Sequence, residues 1–326
     1  MPLITAPVTT PPDTGGGTPT PVPFPEIGFA VASYTDPTGK VWPLTDEAAG
    51  WFTLADGVSG LGAAPYALTS DAHPRGGARL RYVQPQARAI VWPLYVYGET
   101  HDEFVGRWRA LATAFTRTLR ENPDGTRTPG VLEIARPDGT RRHVRVFYQE
   151  GFEGRGTKGS GIVSDAAALT LWCEDPYWFD PVDVSVHQET GALSSFFTPY
   201  PTVSSSQVLG ATTVKNPGDV TVWPQWTVTG PASLITFTHE GTGESFTVDP
   251  TAVGHGNLLA GQQVTITTDP PSVRYQDGSN WVGALDWPSA VLWGLAPGDN
   301  PVTFQLDGSG PGSAVDLTYN PRYETA

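Results

Sequence analysis

The sequence predicts a mainly β protein of two domains, and three observations carry that prediction. The chain has 326 residues, where one domain takes about 100–200. It holds 37 Gly and 32 Pro, the residues that separate short strands with turns. Only one stretch has the apolar period of a long helix. Eleven Trp are present. Most sit in strand-like alternation, which reads as core before it reads as binding surface.

The first 26 residues, "MPLITAPVTTPPDTGGGTPTPVPFPE", form a Pro/Gly/Thr-rich arm. The arm lacks the basic start and apolar stretch of a signal peptide. It has little to bury, so neighbouring subunits are expected to hold it. Residues 27–185 make the first domain. "FAVASYTD", "VWPLTD", "GWFTLADGVSG" and "ARAIVWPLYVYG" read as strands. A helix follows over 101–121. Thr100 and Glu103 give a capping-box pattern, and Phe104, Trp108, Leu111, Phe115 and Leu119 form one apolar stripe. Arg107, Arg109, Arg117 and Arg120 lie off that stripe and make a candidate subunit interface. Asn122-Pro123 and Asp124-Gly125 stop the helix. "VLEIAR", "PDGT" and "RRHVRVFYQEGF" read as a hairpin, and "AAALTLWCED" as a strand returning to the core. Residues 186–215 read as a linker or excursion. Residues 216–326 make the second domain: about eight short strands separated by turns, hence a β-sandwich.

Charge is unevenly spread. Residues 1–74 carry 1 basic and 7 acidic side chains, 75–158 carry 15 and 9, and 159–326 carry 3 and 17. The acidic majority argues against nucleic acid as a primary ligand. A basic and an acidic region in one chain suit self-association of identical subunits. The single cysteine, Cys173, excludes an intrachain disulfide and cysteine-based zinc sites. No stretch approaches the ~20 apolar residues that span a bilayer.

The motifs of catalysis are weak or missing. "GRGTKG", Gly154–Gly159, matches a dinucleotide fingerprint, but no helix opens on it and strand follows it. It reads instead as a hairpin tip, with Arg155 and Lys158 as further candidate interface residues. The six His show no metal spacing, and no GxSxG elbow occurs. Glu174, Asp175, Asp180 and Asp183 could supply a glycosidase pair, but carboxylates beside Pro and aromatics more often cap turns. No enzyme activity, cofactor or metal is expected. In the second domain Trp281 and Trp287 lie near turns in "DGSNWVGALDWPS" and are candidate glycan or partner contacts. Trp223 and Trp226 read as core.

The order of several short motifs resembles the distal tail proteins of long-tailed, siphovirus-type bacteriophages. "CEDPYW", Cys173–Trp178, follows the last strand of the first domain as a domain-junction motif, with Cys173, Asp175, Pro176, Tyr177 and Trp178 as its residues. Then come "NPGDVTVWPQWTVTG", "LLAGQQVTITTD", "WGLAPGDNPVTF" and "AVDLTYNPRY". The resemblance covers roughly residues 27–326. It implies an N-terminal β-barrel or split-barrel domain with one helix, and a C-terminal sandwich of galectin or carbohydrate-module type. Six copies would form a ring that continues the tail tube and anchors tail-tip, baseplate or receptor-binding proteins. The tape-measure protein and DNA would pass through the channel. The chain would belong to the virion, at the distal end of the tail, after synthesis in the host cytoplasm. A carbohydrate-binding adhesion module is the rival reading.

Overall fold

A computed structural model describes residues 31–54, 56–154, 162–190 and 208–326. The chain divides into two compact units, residues 1–181 with 323–326, and residues 182–322. The arm over 1–26 and the tip residues Arg155 and Lys158 lie outside the described residues.

The first unit is built from β1 (Val31–Thr35), β2 (Val41–Pro43), β3 (Trp51–Thr53), β4 (Tyr66–Ala72), β5 (Ala78–Pro85), β6 (Arg88–Tyr97), helix α1 (His101–Thr116), β7 (Gly130–Ala135), β8 (Arg141–Glu150), β9 (Ser164–Cys173) and β10 (Trp178–Phe179). Seven strands run in the order β2-β1-β7-β8-β9-β6-β3. β8 links the halves: its first part pairs with β7 and its second with β9. The two ends of this path meet without a ladder. Trp51 Nε1 donates to Pro43 O at 2.6 Å, and Thr53 Oγ1 to Leu44 O at 2.7 Å. Trp92 Nε1 in turn donates to Thr53 Oγ1 at 2.9 Å. Side chains therefore close a split barrel and satisfy edge carbonyls that would otherwise stay open.

The barrel is filled by alternate residues. In β6 Ile90, Trp92, Leu94 and Val96 face inward, and in β9 Leu169, Leu171 and Cys173 do so. α1 lays Phe104, Leu111, Ala114 and Phe115 on this core. Tyr34 stacks on Phe115 with ring centroids 4.1 Å apart. Full burial of Phe115 contributes roughly 2–3 kcal/mol. The helix starts where the sequence predicts, with Thr100 Oγ1 accepting from Glu103 N at 3.3 Å. Glu103, however, reaches back to Glu99 N at 2.8 Å rather than to the cap residue itself.

The helix is shorter than the expected 101–121. A 3₁₀ turn takes over at Arg117–Leu119. Its tighter period turns Leu119 outward and buries Thr118, whose Oγ1 donates to Phe115 O at 2.8 Å and accepts from Tyr148 N at 3.0 Å. The "PDGT" turn forms between β7 and β8, with Gly139 at φ 89°. Gly151 has φ 125°, and a Cβ there would lie 2.3 Å from Ala168 O, so only glycine fits where β8 leaves β9.

The second unit contains β11 (Val184–Glu189), β12 (Val208–Asn216), β13 (Gln225–Thr229), β14 (Leu234–His239), β15 (Glu244–Val248), β16 (Gln263–Thr268), β17 (Pro271–Tyr275), β18 (Gly298–Asp307) and β19 (Ala314–Tyr319). They form two antiparallel sheets, β11-β19-β13-β16-β17 and β12-β18-β14-β15. Trp226, Phe237, Phe246, Trp293 and Phe304 fill the space between them. Trp226 stacks on Phe237 at 4.6 Å and meets Trp293 edge-on at 4.8 Å. This is the expected sandwich.

Its boundaries differ from the expected ones. β11 runs into the segment read as a linker, 186–215, from one end and β12 from the other, because alternation survives there beneath a Ser/Thr-rich composition. The last four residues, 323–326, belong to the first unit and not the second. "NWVGAL" forms a 3₁₀ turn at Val282–Ala284.

The resemblance motifs have structural explanations. Asn216 donates to Val220 O and Leu295 O, both at 3.0 Å, and accepts from Gly218 N at 2.9 Å. A Cβ at Gly218 would lie 2.5 Å from Arg322 O. Asn300 donates to Val214 O, Ala296 O and Gly298 O and accepts from Ala296 N. Each asparagine bonds backbone at the ends of β12 and β18 and in the loops beside them.

Candidate assembly surfaces

The four helix arginines do not act alike. Arg107 donates from Nη1 to Tyr97 O at 2.7 Å, and its Nη2 lies 2.5 Å from Glu103 Oε1. Its guanidinium also fills the space that a side chain at Gly50 would need. Arg107 therefore fixes α1 to the neighbouring strands. Arg117 reaches Thr38 Oγ1 at 3.2 Å and Asp36 Oδ2 at 3.7 Å. Arg109 and Arg120 are exposed. Arg109 stands over a cleft of about 340 Å³ that Asp36, Lys40, Trp42, Thr113 and Arg117 also line. Lys40 Nζ sits 3.8 Å above the Trp42 ring.

Asp36 is buried, and burial pushes its carboxyl pKa up. Hydrogen bonds from the Thr38 hydroxyl, the Trp42 indole and the Thr38 and Lys40 backbone N–H groups outweigh burial and hold it below the usual value. The cleft thus presents more positive than negative charge, which suits an acidic partner surface.

The "CEDPYW" run ends the first unit. Cys173 and Trp178 are fully buried in the barrel core of the first unit. Pro176 is buried as well. Asp175 Oδ1 accepts from Tyr177 N at 3.1 Å and makes the turn, while Tyr177 OH lies 3.3 Å from Tyr66 OH. Burial pushes the Cys173 thiol up to about 12, despite the opposing pull of Arg88.

Arg88 pairs with Cys173 across the ladder and is itself buried. It donates to Gly60 O at 3.0 Å, Gly62 O at 2.7 Å and Glu324 O at 2.9 Å. Ala326 N donates to Leu61 O, and Arg136 Nε to Ala326 O at 2.7 Å. Glu324 accepts from Ala64 N and from the Tyr66 hydroxyl. Residues 323–326 are thus clamped to the barrel. Sequence reasoning passed over Arg88, although the signal was present: it shares the inward register of Ile90, Trp92 and Leu94.

In the second unit Trp281 is buried against Tyr275, the rings parallel and 4.7 Å apart, with His255 beside it. It presents no face to a glycan, which corrects that expectation. Trp287 is 56 % exposed, and its Nε1 donates to Val282 O at 3.1 Å. Trp223, expected in the core, is 45 % exposed because β13 begins only at Gln225. Among the described residues no group of three His, Cys, Asp or Glu could hold a metal ion, and no helix is long and apolar enough to cross a membrane.

No family model matches the sequence, and no curated protein matches it. Solved structures do. The chain is similar to the Dit protein (gp 19.1) of phage SPP1, described as a paradigm of the hub adsorption apparatus in Gram-positive infecting phages. The identity is 16 % over 90 % of this chain and 99 % of that one, with a TM-score of 0.57. Two structures of the phage P2 baseplate in its activated conformation, with Ca and with Sr, align at 11 % and 12 % identity. They cover 91 % and 92 % of this chain and 100 % of theirs, each with a TM-score of 0.49. At 16 % identity the shared property is the fold, and the chain has the fold of the SPP1 hub protein over nearly its whole length.

Proposed function

We propose that the chain is a structural virion protein, the distal tail hub of a siphovirus-type phage. Its copies form a ring, six in number, that joins the tail tube to the tail tip or baseplate and anchors tip or receptor-binding proteins. The tape-measure protein and DNA pass through the channel, and the chain is made in the host cytoplasm before it enters the virion. The observation that carries this reading is the fold shared with a phage hub protein across 99 % of that protein's length. A two-domain chain fits a hub better than a tube subunit, which needs only the first domain.

The exposed Trp287 and Trp223 support a second reading, in which the sandwich binds cell-wall glycans. Electron microscopy of the purified full chain, with mass by light scattering, tests the first. Rings with an open channel are expected. A monomer that neither assembles alone nor adds to purified tail tubes would overturn the hub reading, and glycan binding lost in Trp287→Ala would then favour the second.

A further inference from the structure

Every residue of β4 and β5 is exposed. Among the described residues these strands pair only with each other. A lone two-stranded hairpin is marginal in water, so something else must cover it.

The register shows which side chains need cover. Tyr66 opposes Pro85 and Leu68 opposes Val83, so these four share one face. Between Thr69 and Ser70 the register slips, and Arg81 is the extra residue. Simple alternation would send Leu80 and Val83 to opposite faces. The bulge cancels one step, so Leu80 opposes Ser70 on the same face as Val83. One face therefore carries Tyr66, Leu68, Leu80 and Val83, and the other carries Thr69, Asp71, Arg79, Tyr82 and Gln84. Leu68 is 66 % and Leu80 54 % exposed. The first face is the more apolar of the two and stands open at Leu68 and Leu80, with Tyr82 the one large ring on the second.

The same unit carries a second uncovered apolar surface. Leu119, Phe147, Tyr148 and Trp172 line a groove of about 690 Å³, together with Arg127 and Glu174. Trp172 stands on the outer side of β9, opposite to the core-facing Leu171 and Cys173. Antiparallel strands usually place polar residues there. The charges of the two surfaces are opposite in sign. The hairpin holds Arg75, Arg79 and Arg81 against Asp71. Around the groove Glu121, Glu150 and Glu174 stand against Arg120 and Arg127, and Glu121 already pairs Arg127 at 3.1 Å.

We propose that the apolar face of the β4–β5 hairpin of one copy seats in the Leu119–Trp172 groove of a second copy of this chain. The inference rests on the hub reading for self-association and adds the surfaces that carry it. Donor and acceptor are different surfaces, so each copy gives one hairpin and receives one. Such head-to-tail contacts propagate around a ring when the rotation closes.

The test uses the full chain and compares it with Leu68→Asp/Leu80→Asp and Trp172→Glu by sedimentation across concentration. The hairpin is exposed throughout, so its variant is expected to melt where the parent does. Each variant should raise the concentration of half-assembly at least about tenfold. Mixed Leu80→Cys and Gln149→Cys chains should oxidise to a cross-linked dimer, since Cys173 is buried. If the parent assembles and either variant assembles equally well, or no cross-link forms, the hairpin–groove contact is wrong while the hub reading stands. If the parent stays monomeric at every concentration, gives no cross-link and does not add to purified tail tubes, both fail.

Discussion

Replacing Arg88 by Met tests whether one buried cation holds residues 323–326 to the barrel. The guanidinium satisfies three carbonyls, Gly60 O, Gly62 O and Glu324 O, at 2.7–3.0 Å. Met keeps most of the volume and gives up every donor. A buried acceptor left without a partner costs about 1 kcal/mol or more, so three cost about 3 kcal/mol. Relief from burying a cation offsets part of this. Burial lowers the Arg88 pKa, against the opposing influence of Cys173, Glu324 and Asp175. Loss of the contact with the Trp178 ring, 5.7 Å from the guanidinium carbon, adds roughly 0.5 kcal/mol. The net is a loss of about 3 kcal/mol. For a unit of this size that lowers the melting temperature of the first unit by about 6–12 °C. Amide exchange should accelerate locally at Ala326, whose N–H donates to Leu61 O. Calorimetry and exchange on the full chain measure both. A loss below about 1 kcal/mol with unchanged exchange would refute the reasoning, because it would mean that water already serves these carbonyls.

Three further outcomes follow from local geometry. Asp36 has a folded pKa below its ordinary value, so its stabilisation is present above the ordinary value near 3.8 and is lost as pH falls through the folded one. Asp36→Asn should cost about 1–2 kcal/mol at neutral pH, and the gap should narrow as pH falls below the ordinary carboxylate value in urea titrations; a gap independent of pH would contradict it. Cys173, with its thiol raised to about 12 by burial, should resist aromatic disulfide reagents in the native chain and react on unfolding, and rapid native labelling would count against the packing. Trp281→Ala should destabilise the sandwich by about 3–5 kcal/mol and Trp287→Ala by less than about 1 kcal/mol, read by chemical denaturation; equal losses would be inconsistent with the burial assigned to the two rings.

The helix was legible because its cap and its stripe agree, and both survive in Thr100, Phe104, Leu111 and Phe115. Its end was not, because a 3₁₀ turn changes the period and brings Thr118 rather than Leu119 inward. The hairpin β4–β5 escaped sequence reading for a related reason. Alternation is the signal for a strand, and the bulge at Arg81 breaks it while keeping Leu80 and Val83 on one face. In "VWPQW" the pattern suggested one strand through both rings, but Pro224 lacks an N–H and β13 starts after it. Burial of Trp281 is set by Tyr275 and His255, partners that become neighbours only through the fold. The asparagine motifs were legible as an order of residues, and their reason, the bonds to backbone at strand ends and loops, is visible only in three dimensions.

How the barrel closes also bears on where the chain can associate. Sheet edges with free N–H and C=O groups invite pairing with other chains. β2 and β3, the ends of the seven-strand path, are joined by the Trp51 and Thr53 bonds to Pro43 O and Leu44 O. The neighbourhood of Leu61 and Gly62 is occupied by Arg88 and Ala326. The hairpin alone, among the described residues of this unit, keeps two strands whose every residue is exposed. A self-closed barrel and an open hairpin have opposite tendencies. The first resists non-specific pairing, and the second concentrates apolar and cationic side chains in one extended element. That division of roles is what a subunit needs if it must stay folded alone and still recognise a copy of itself.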